Sequence, residues 1–188
     1  MRKVITEVYE FKELSNEAKE KAVENYRTIK QEDCCDCSND ILTDSFVDRL
    51  EELGFYSCKF QWDCSYCQGD YFSINSSIEL DKGFLAVNNL KEYEDILPYI
   101  YAICVKENEV YVDLDIEIDD EDLGELFEKL VEKKVDNLKG ELQIIVDDLA
   151  RKFKKEVHEE YEYILSYECI VEDIKNNGGE FEEDGTRA

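Results

Sequence analysis

Residues 109–122, EVYVDLDIEIDDED, constrain this fold more than any other part of the chain. Val110, Val112, Leu114, Ile116 and Ile118 alternate with Tyr111, Asp113, Asp115, Glu117 and Asp119. Side chains on a strand point alternately to opposite faces. The period of two therefore predicts a strand over about 109–118, with one face in a core and the other in water. The watery face is a row of carboxylates, continued by Asp120, Glu121 and Asp122. Same-face residues lie roughly 6.8 Å apart, two steps along a strand. A charged ladder at that pitch suits three roles: holding a metal, opposing a basic protein, or solvating the chain.

Charge bears on the choice. The 188 residues carry 48 acidic and 22 basic side chains, for a formal charge of −26. Self-repulsion of that size costs stability and exceeds what solubility needs. It argues against nucleic acid or an anionic membrane as a direct ligand, since both would be repelled. A basic nucleic-acid-binding protein is the natural complement, and an acidic surface with no partner is the plain alternative. With 43% hydrophobic residues and a single proline, the chain can build a core and is not a disordered polymer. MRKVITEVYEF has no long apolar run, and no segment reaches membrane-spanning length, so the cytoplasm is the expected compartment. Eight cysteines in that compartment read as thiols or metal ligands and not as disulfides.

Taken in order, residues 3–11 read as a first strand and Ser15 as the N-cap of a helix to about Ile29, with Ala18, Ala22, Tyr26 and Ile29 inward. Residues 31–39 read as a loop. A second helix, 40–53, buries Leu42, Phe46, Leu50 and Leu53 and ends at Gly54. Two alternating runs then predict a hairpin over about 55–80: Cys58, Phe60, Trp62 and Cys64 share one face, and Phe72, Ile74, Ser76, Ile78 and Leu80 another. Residues 89–104 suggest a helix interrupted at Pro98. The acidic strand follows as a third or fourth member of the hairpin's sheet. After Asp120 a stripe of Leu123, Leu126, Leu130, Leu138, Leu142, Ile145, Leu149, Phe153, Val157 and Tyr161 is helical, with a break preferred at 137–140 around Gly140. Ser166 opens a last helix, with Leu165 and Ile170 spaced as a hydrophobic staple, and residues 176–179 stop it. The expected architecture is α+β: one domain over 1–176, a small antiparallel sheet of N-terminal strand, hairpin and acidic strand, a helical C-terminal arm from about 121, and a flexible acidic tail over 177–188.

Chemistry narrows the ladder's role. Asp113, Asp115 and Glu117 have the 1, 3, 5 spacing of a calcium loop, but that loop needs glycine at six and glutamate at twelve, where this chain has Ile118 and Gly124. A two-metal site needs carboxylates converging from separate elements, and the one histidine, His158, sits in a charged helix among Lys154, Lys155, Glu159 and Glu160. Neither a nucleophile elbow nor a phosphate-cradling glycine loop is present, so no catalytic residue and no cofactor are assigned. Cys34, Cys35 and Cys37 with Cys64 and Cys67 have spacings that can hold zinc, but Cys64 belongs to a strand face and Cys67 to the turn. Scattered reduced thiols are the preferred reading. Tyr99, Tyr101, Tyr161, Tyr163 and Tyr167 could serve an interface, although semi-buried helix positions suit them as well.

Three segments are distinctive together: VYEFKELSNEAKEKAVENYR near the start, CQGDYFS at residues 67–73, and EYEYILSYECIVEDIKNNGGEFEEDG near the end. They resemble a broad family of small acidic proteins of phages and mobile elements, some of which resemble type II-A anti-CRISPR proteins that inhibit Cas9. In that family the hairpin segment usually reads Ser-Gln-Gly-Asp-Gly, whereas Cys67 stands first here and Tyr71 directly follows Asp70. The resemblance implies a non-enzymatic inhibitor of Cas9 or its guide-RNA complex. Such an inhibitor would mimic phosphate on basic surface that normally holds nucleic acid. Asp113, Asp115, Glu117, Asp119, Asp120, Glu121 and Asp122 are then the expected contact. Another basic host nucleic-acid-binding protein is the alternative partner, and a metal-dependent enzyme acting on nucleic acid is the less favoured third reading.

Overall fold

The computed structural model describes residues 7–33, 37–63, 71–117 and 121–188. It is an α+β structure made of two compact units, Met1–Ile41 with Glu156–Ala188 and Leu42–Lys155, where one domain over 1–176 is expected from the sequence.

In the first unit, β1 (Tyr9–Glu10) leads through a short 3₁₀ turn into α1 (Asn16–Asp33). Ser15 caps α1 as its sequence predicts, its Oγ accepting the Ala18 N–H at 3.1 Å. Ala18, Ala22 and Tyr26 face inward with Val23, but Ile29 is exposed. Most of the expected 31–39 loop is helix, since α1 runs to Asp33 and α2 begins at Cys37; residues 34–36 lie outside the described set. The last helix, α5 (Tyr167–Asn177), is capped by Ser166, whose Oγ accepts the Cys169 N–H at 3.3 Å, and it ends at Gly178. Ile170, spaced from Leu165 as a staple, is fully buried.

Two expectations fail in this unit. The N-terminal strand does not join the hairpin: β1 pairs antiparallel with β6 (Glu180–Phe181) in a sheet of its own, with Tyr9 opposite Phe181. Nor is 177–188 a loose tail. Phe181 is 1% exposed and closes a core of Phe11, Leu14, Ala18, Ala22, Val23, Tyr26, Ile170 and Ile174. A single large apolar side chain outweighed the acidic composition around it, because burying a Phe is worth about 1.5–3 kcal/mol.

The second unit contains α2 (Cys37–Glu52) from Leu42 onward and a four-stranded antiparallel sheet in the order β2–β3–β4–β5. Phe46 and Leu50 are buried on α2, and Gly54 follows the helix at φ +88°, the left-handed position expected of a C′ glycine. The hairpin forms as expected from β2 (Phe55–Asp63) and β3 (Tyr71–Ile78), with Phe60 opposite Ile74 and Trp62 opposite Phe72. Its inner aromatics meet α4 (Glu121–Ile164): Phe153 lies 4.4 Å from Phe60, 4.1 Å from Phe46 and 5.8 Å from both Trp62 and Phe72, ring centre to ring centre.

After α3 (Lys82–Val87), the expected 89–104 helix is replaced by two elements, a 3₁₀ segment (Lys91–Tyr99) and β4 (Ile100–Lys106). Pro98 cannot donate within a continuing helix, and beyond it Ile103 and Val105 are buried at strand period. The acidic strand does join the same sheet, as its fourth and edge member, β5 (Glu109–Leu114).

No break occurs at Gly140. The helix α4 (Glu121–Ile164) is continuous over 44 residues. Gly140 is exposed and a Cβ there would touch nothing within 4 Å, so the glycine costs about 1 kcal/mol of helix propensity without deforming anything. The inward stripe also differs from the leucine pattern near the helix start. Val131 and Val135 are buried and fill the wide step, while Leu126 and Leu130 point outward at 72% and 56% exposure. From Leu138 on, the expected stripe holds at Leu142, Phe153 and Val157, with Val146 added.

Candidate binding surface

Strand β5 ends at Leu114, four residues before the alternation of its sequence does. Val110 is buried and Val112 half-buried, but Leu114 is exposed, so the apolar face loses its cover along the strand. Of the seven carboxylates expected to form a ladder, Asp113 alone stands in a strand among the described residues. Asp115 and Glu117 follow, exposed and outside any strand, with the Asp115 N–H held by the Tyr99 carbonyl at 2.9 Å. Asp119 and Asp120 lie outside the described residues. Glu121 and Asp122 open α4, and their side chains are likewise outside the description. The straight ladder at strand pitch is therefore reduced to a cluster of Asp113, Asp115 and Glu117 where the strand runs out.

Pairing in an antiparallel sheet alternates between residues that bond to the neighbour and residues whose backbone faces away. The phase is set by two contacts. The Val110 N–H points away from β4 and donates to Gln143 Oε1 at 3.1 Å, and the Asp115 N–H points towards β4. Val112 and Leu114, lying between these, also turn their N–H and C=O groups to the open edge. Gln143, from α4, also donates through Nε2 to the Asn108 carbonyl at 2.7 Å. One glutamine thus closes the edge at 108–110. Among the described residues, nothing bonds the outward groups of Val112 and Leu114.

Exposed apolar groups stand beside these carboxylates. The register between β4 and β5 shifts between Ile100 and Ala102, which sets Tyr101 out of the pairing with 79% of its surface exposed. Tyr111, opposite Cys104, is also exposed and donates its phenol to Glu109 Oε2 at 2.6 Å. That hydrogen bond to a carboxylate, with partial desolvation, raises the phenol above its ordinary value and keeps it a donor. Tyr99, by contrast, packs edge-on against Phe127 at 5.2 Å. Tyr163 and Tyr167 are exposed and Tyr161 is half-buried.

Among the described residues, the other candidates do not assemble into a second site. Among the described residues, no group of three or more His, Cys, Asp or Glu could hold a metal. Cys34, Cys35, Cys64 and Cys67 lie outside the described residues, and Cys37 opens α2 with its side chain undescribed. Cys58, Cys104 and Cys169 are free and half-buried, and burial pushes the Cys58 thiol up, away from reactivity. His158 is exposed on α4. No helix among the described residues is long and apolar enough to cross a membrane.

Sequence reasoning named Tyr101 as a possible interface residue but set it on a helix, and it missed Gln143 and the open edge. IYAICVK carried the strand period that places Tyr101 in β4, but the helical spacing ahead of Pro98 masked it. Nothing in the sequence marks Gln143, because its partner is a backbone that only the fold brings near. Against protein-family models, curated proteins and solved structures, the chain shows no match.

Proposed function

We propose that this protein is a non-enzymatic binder that presents carboxylates to the basic surface of a nucleic-acid-binding protein. The observation that carries this reading is the exposure of Asp113, Asp115 and Glu117 at one end of a sheet edge, on a chain with a formal charge of −26. Asp113 is fixed in the strand and Asp115 is tethered through its backbone to Tyr99, and complementary potential speeds encounter with a cationic channel. The resemblance of the chain's opening, hairpin and closing segments to a family that includes anti-CRISPR proteins supports Cas9 with its guide RNA as the partner, whose target DNA binding or cleavage would be blocked.

A DNA cleavage assay with guide-loaded Cas9, run beside direct binding measurements across ionic strength, tests both parts. Cleavage is expected to fall as protein is added, and affinity to fall as salt rises. Replacing Asp113, Asp115 and Glu117 by Asn, Asn and Gln should weaken binding roughly tenfold and flatten the salt dependence. Undiminished cleavage at saturating protein removes Cas9 as the partner. Undiminished binding by the triple variant removes this cluster as the contact.

A further inference from the structure

We infer that the open edge of β5 accepts an extended, alternately basic and apolar segment of the partner as a fifth strand of the sheet. This deepens the proposed function and rests on it for the partner's charge. Backbone geometry supplies the site: Val112 and Leu114 point N–H and C=O groups outward in register, unpaired among the described residues, just beyond the stretch closed by Gln143. Unpaired edges of this kind template the addition of another strand. At the opposite edge, β2 is interrupted by a register shift between Tyr56 and Lys59 with Ser57 at φ +54°, so an unbroken ladder could not extend along it. The corresponding shift on the β4–β5 side falls in β4, at Tyr101, and leaves β5 regular.

The two faces of β5 choose the occupant's side chains. On one face the added strand would lie beside exposed Tyr111 and Asp113, where lysine or arginine is favoured across the strands. On the other it would lie beside half-buried Val112 and exposed Leu114, where apolar side chains complete the cover that runs out there. An acidic segment would meet like charge at Asp113, Asp115 and Glu117, so the same edge that invites a basic strand repels a second copy of this acidic chain.

A blocked seven-residue peptide alternating lysine and valine, and the same peptide N-methylated along its backbone, separate edge pairing from simple attraction. Their charges are equal, but the second cannot donate to a strand. The parent is expected to bind at least tenfold tighter, and hydrogen exchange at the Val112 and Leu114 amides is expected to slow when it binds. Val112→Pro removes an outward N–H without touching a bond to β4, so it should abolish that preference. Should that variant fail to fold, the peptide pair on the unaltered protein still decides. Equal binding of the two peptides, no binding of the parent, or unchanged exchange at Val112 and Leu114 at saturation would each overturn the inference. Guide-loaded Cas9 bound with no protection at those amides refutes the edge while leaving the proposed function standing. Protection by the peptide with no affinity for Cas9 does the reverse.

Discussion

Two acidic stretches of similar make-up meet opposite fates in this protein. Residues 180–184, EFEED, are fastened down; residues 113–117, DLDIE, are left in water. In the first, Phe181 is buried edge-on against Phe11 at 6.0 Å and near Tyr26 at 6.5 Å. Lys21 pairs with Asp184, and Arg187 sits 5.5 Å over the Tyr26 ring. In the second, Leu114 is exposed, and no ion pair among the described residues engages Asp113, Asp115 or Glu117. Charge density does not decide whether a segment docks. A buried aromatic with cations beside it does, and a stretch lacking both leaves its carboxylates facing water.

The sharpest way to break this comparison is to remove the anchor. Phe181→Ala should cost about 3–5 kcal/mol, because it empties a fully buried aromatic site. Denaturant titration should show the loss, and hydrogen exchange should locate it in α1 and α5. Leu114→Ala, at the exposed counterpart, should stay within about 0.5 kcal/mol of the parent. Equal effects from the two would mean that Phe181 does not hold the tail.

Smaller effects follow from close approach and from the edge. Gly185 has φ +87°, and a Cβ there would sit 2.1 Å from the Ala18 carbonyl oxygen. Gly185→Ala should therefore cost about 1–3 kcal/mol and expose the last residues to limited proteolysis. Wild-type protease resistance in that variant would show that the tail docks without this contact. On the other side of the comparison, Gln143→Ala removes the two bonds that close the β5 edge and should cost about 1–2 kcal/mol. It should also quicken exchange at Val110, while Asp115, bonded towards β4, stays slow.

How much of this was legible in the sequence depended on whether the signal was local. Caps at Ser15 and Ser166, the stop at Gly54 and the hairpin over about 55–80 follow from short-range chemistry, and each stands as read. Several of the misreadings involve distant partners. Phe181 looked like part of a tail because its neighbours are acidic, although its environment is set by Phe11 and Tyr26. Leu126 and Leu130 looked inward at helical spacing, but tertiary packing chose Val131 and Val135. The acidic strand was recognised, yet its length was not. Alternation persists to Ile118, whereas β4 ends its pairing at Ile100 opposite Leu114. Of the candidate surface, the carboxylates were visible in advance and the open backbone edge beside them was not.

The finest distinction between the two acidic stretches lies in their titration. Lys21 and the Thr186 N–H, the latter 2.9 Å from Asp184 Oδ1, hold the Asp184 carboxyl well below the ordinary carboxylate range. A depressed folded value means that the charged form is favoured by folding. Its contribution is then complete above the unfolded value near pH 4 and is lost as pH falls through the lower folded one. Because Asp184 is exposed, solvent screens the pair and the effect should be smaller than any of the others. Carboxyl carbon resonances followed by NMR should show Asp184 titrating well below a model aspartate. Asp184→Asn should flatten the acid limb of the stability curve slightly, without touching the stability plateau's dependence on Phe181. An Asp184 midpoint at the ordinary value would mean that Lys21 contributes no fastening, leaving the aromatic anchor alone to distinguish the docked stretch from the free one.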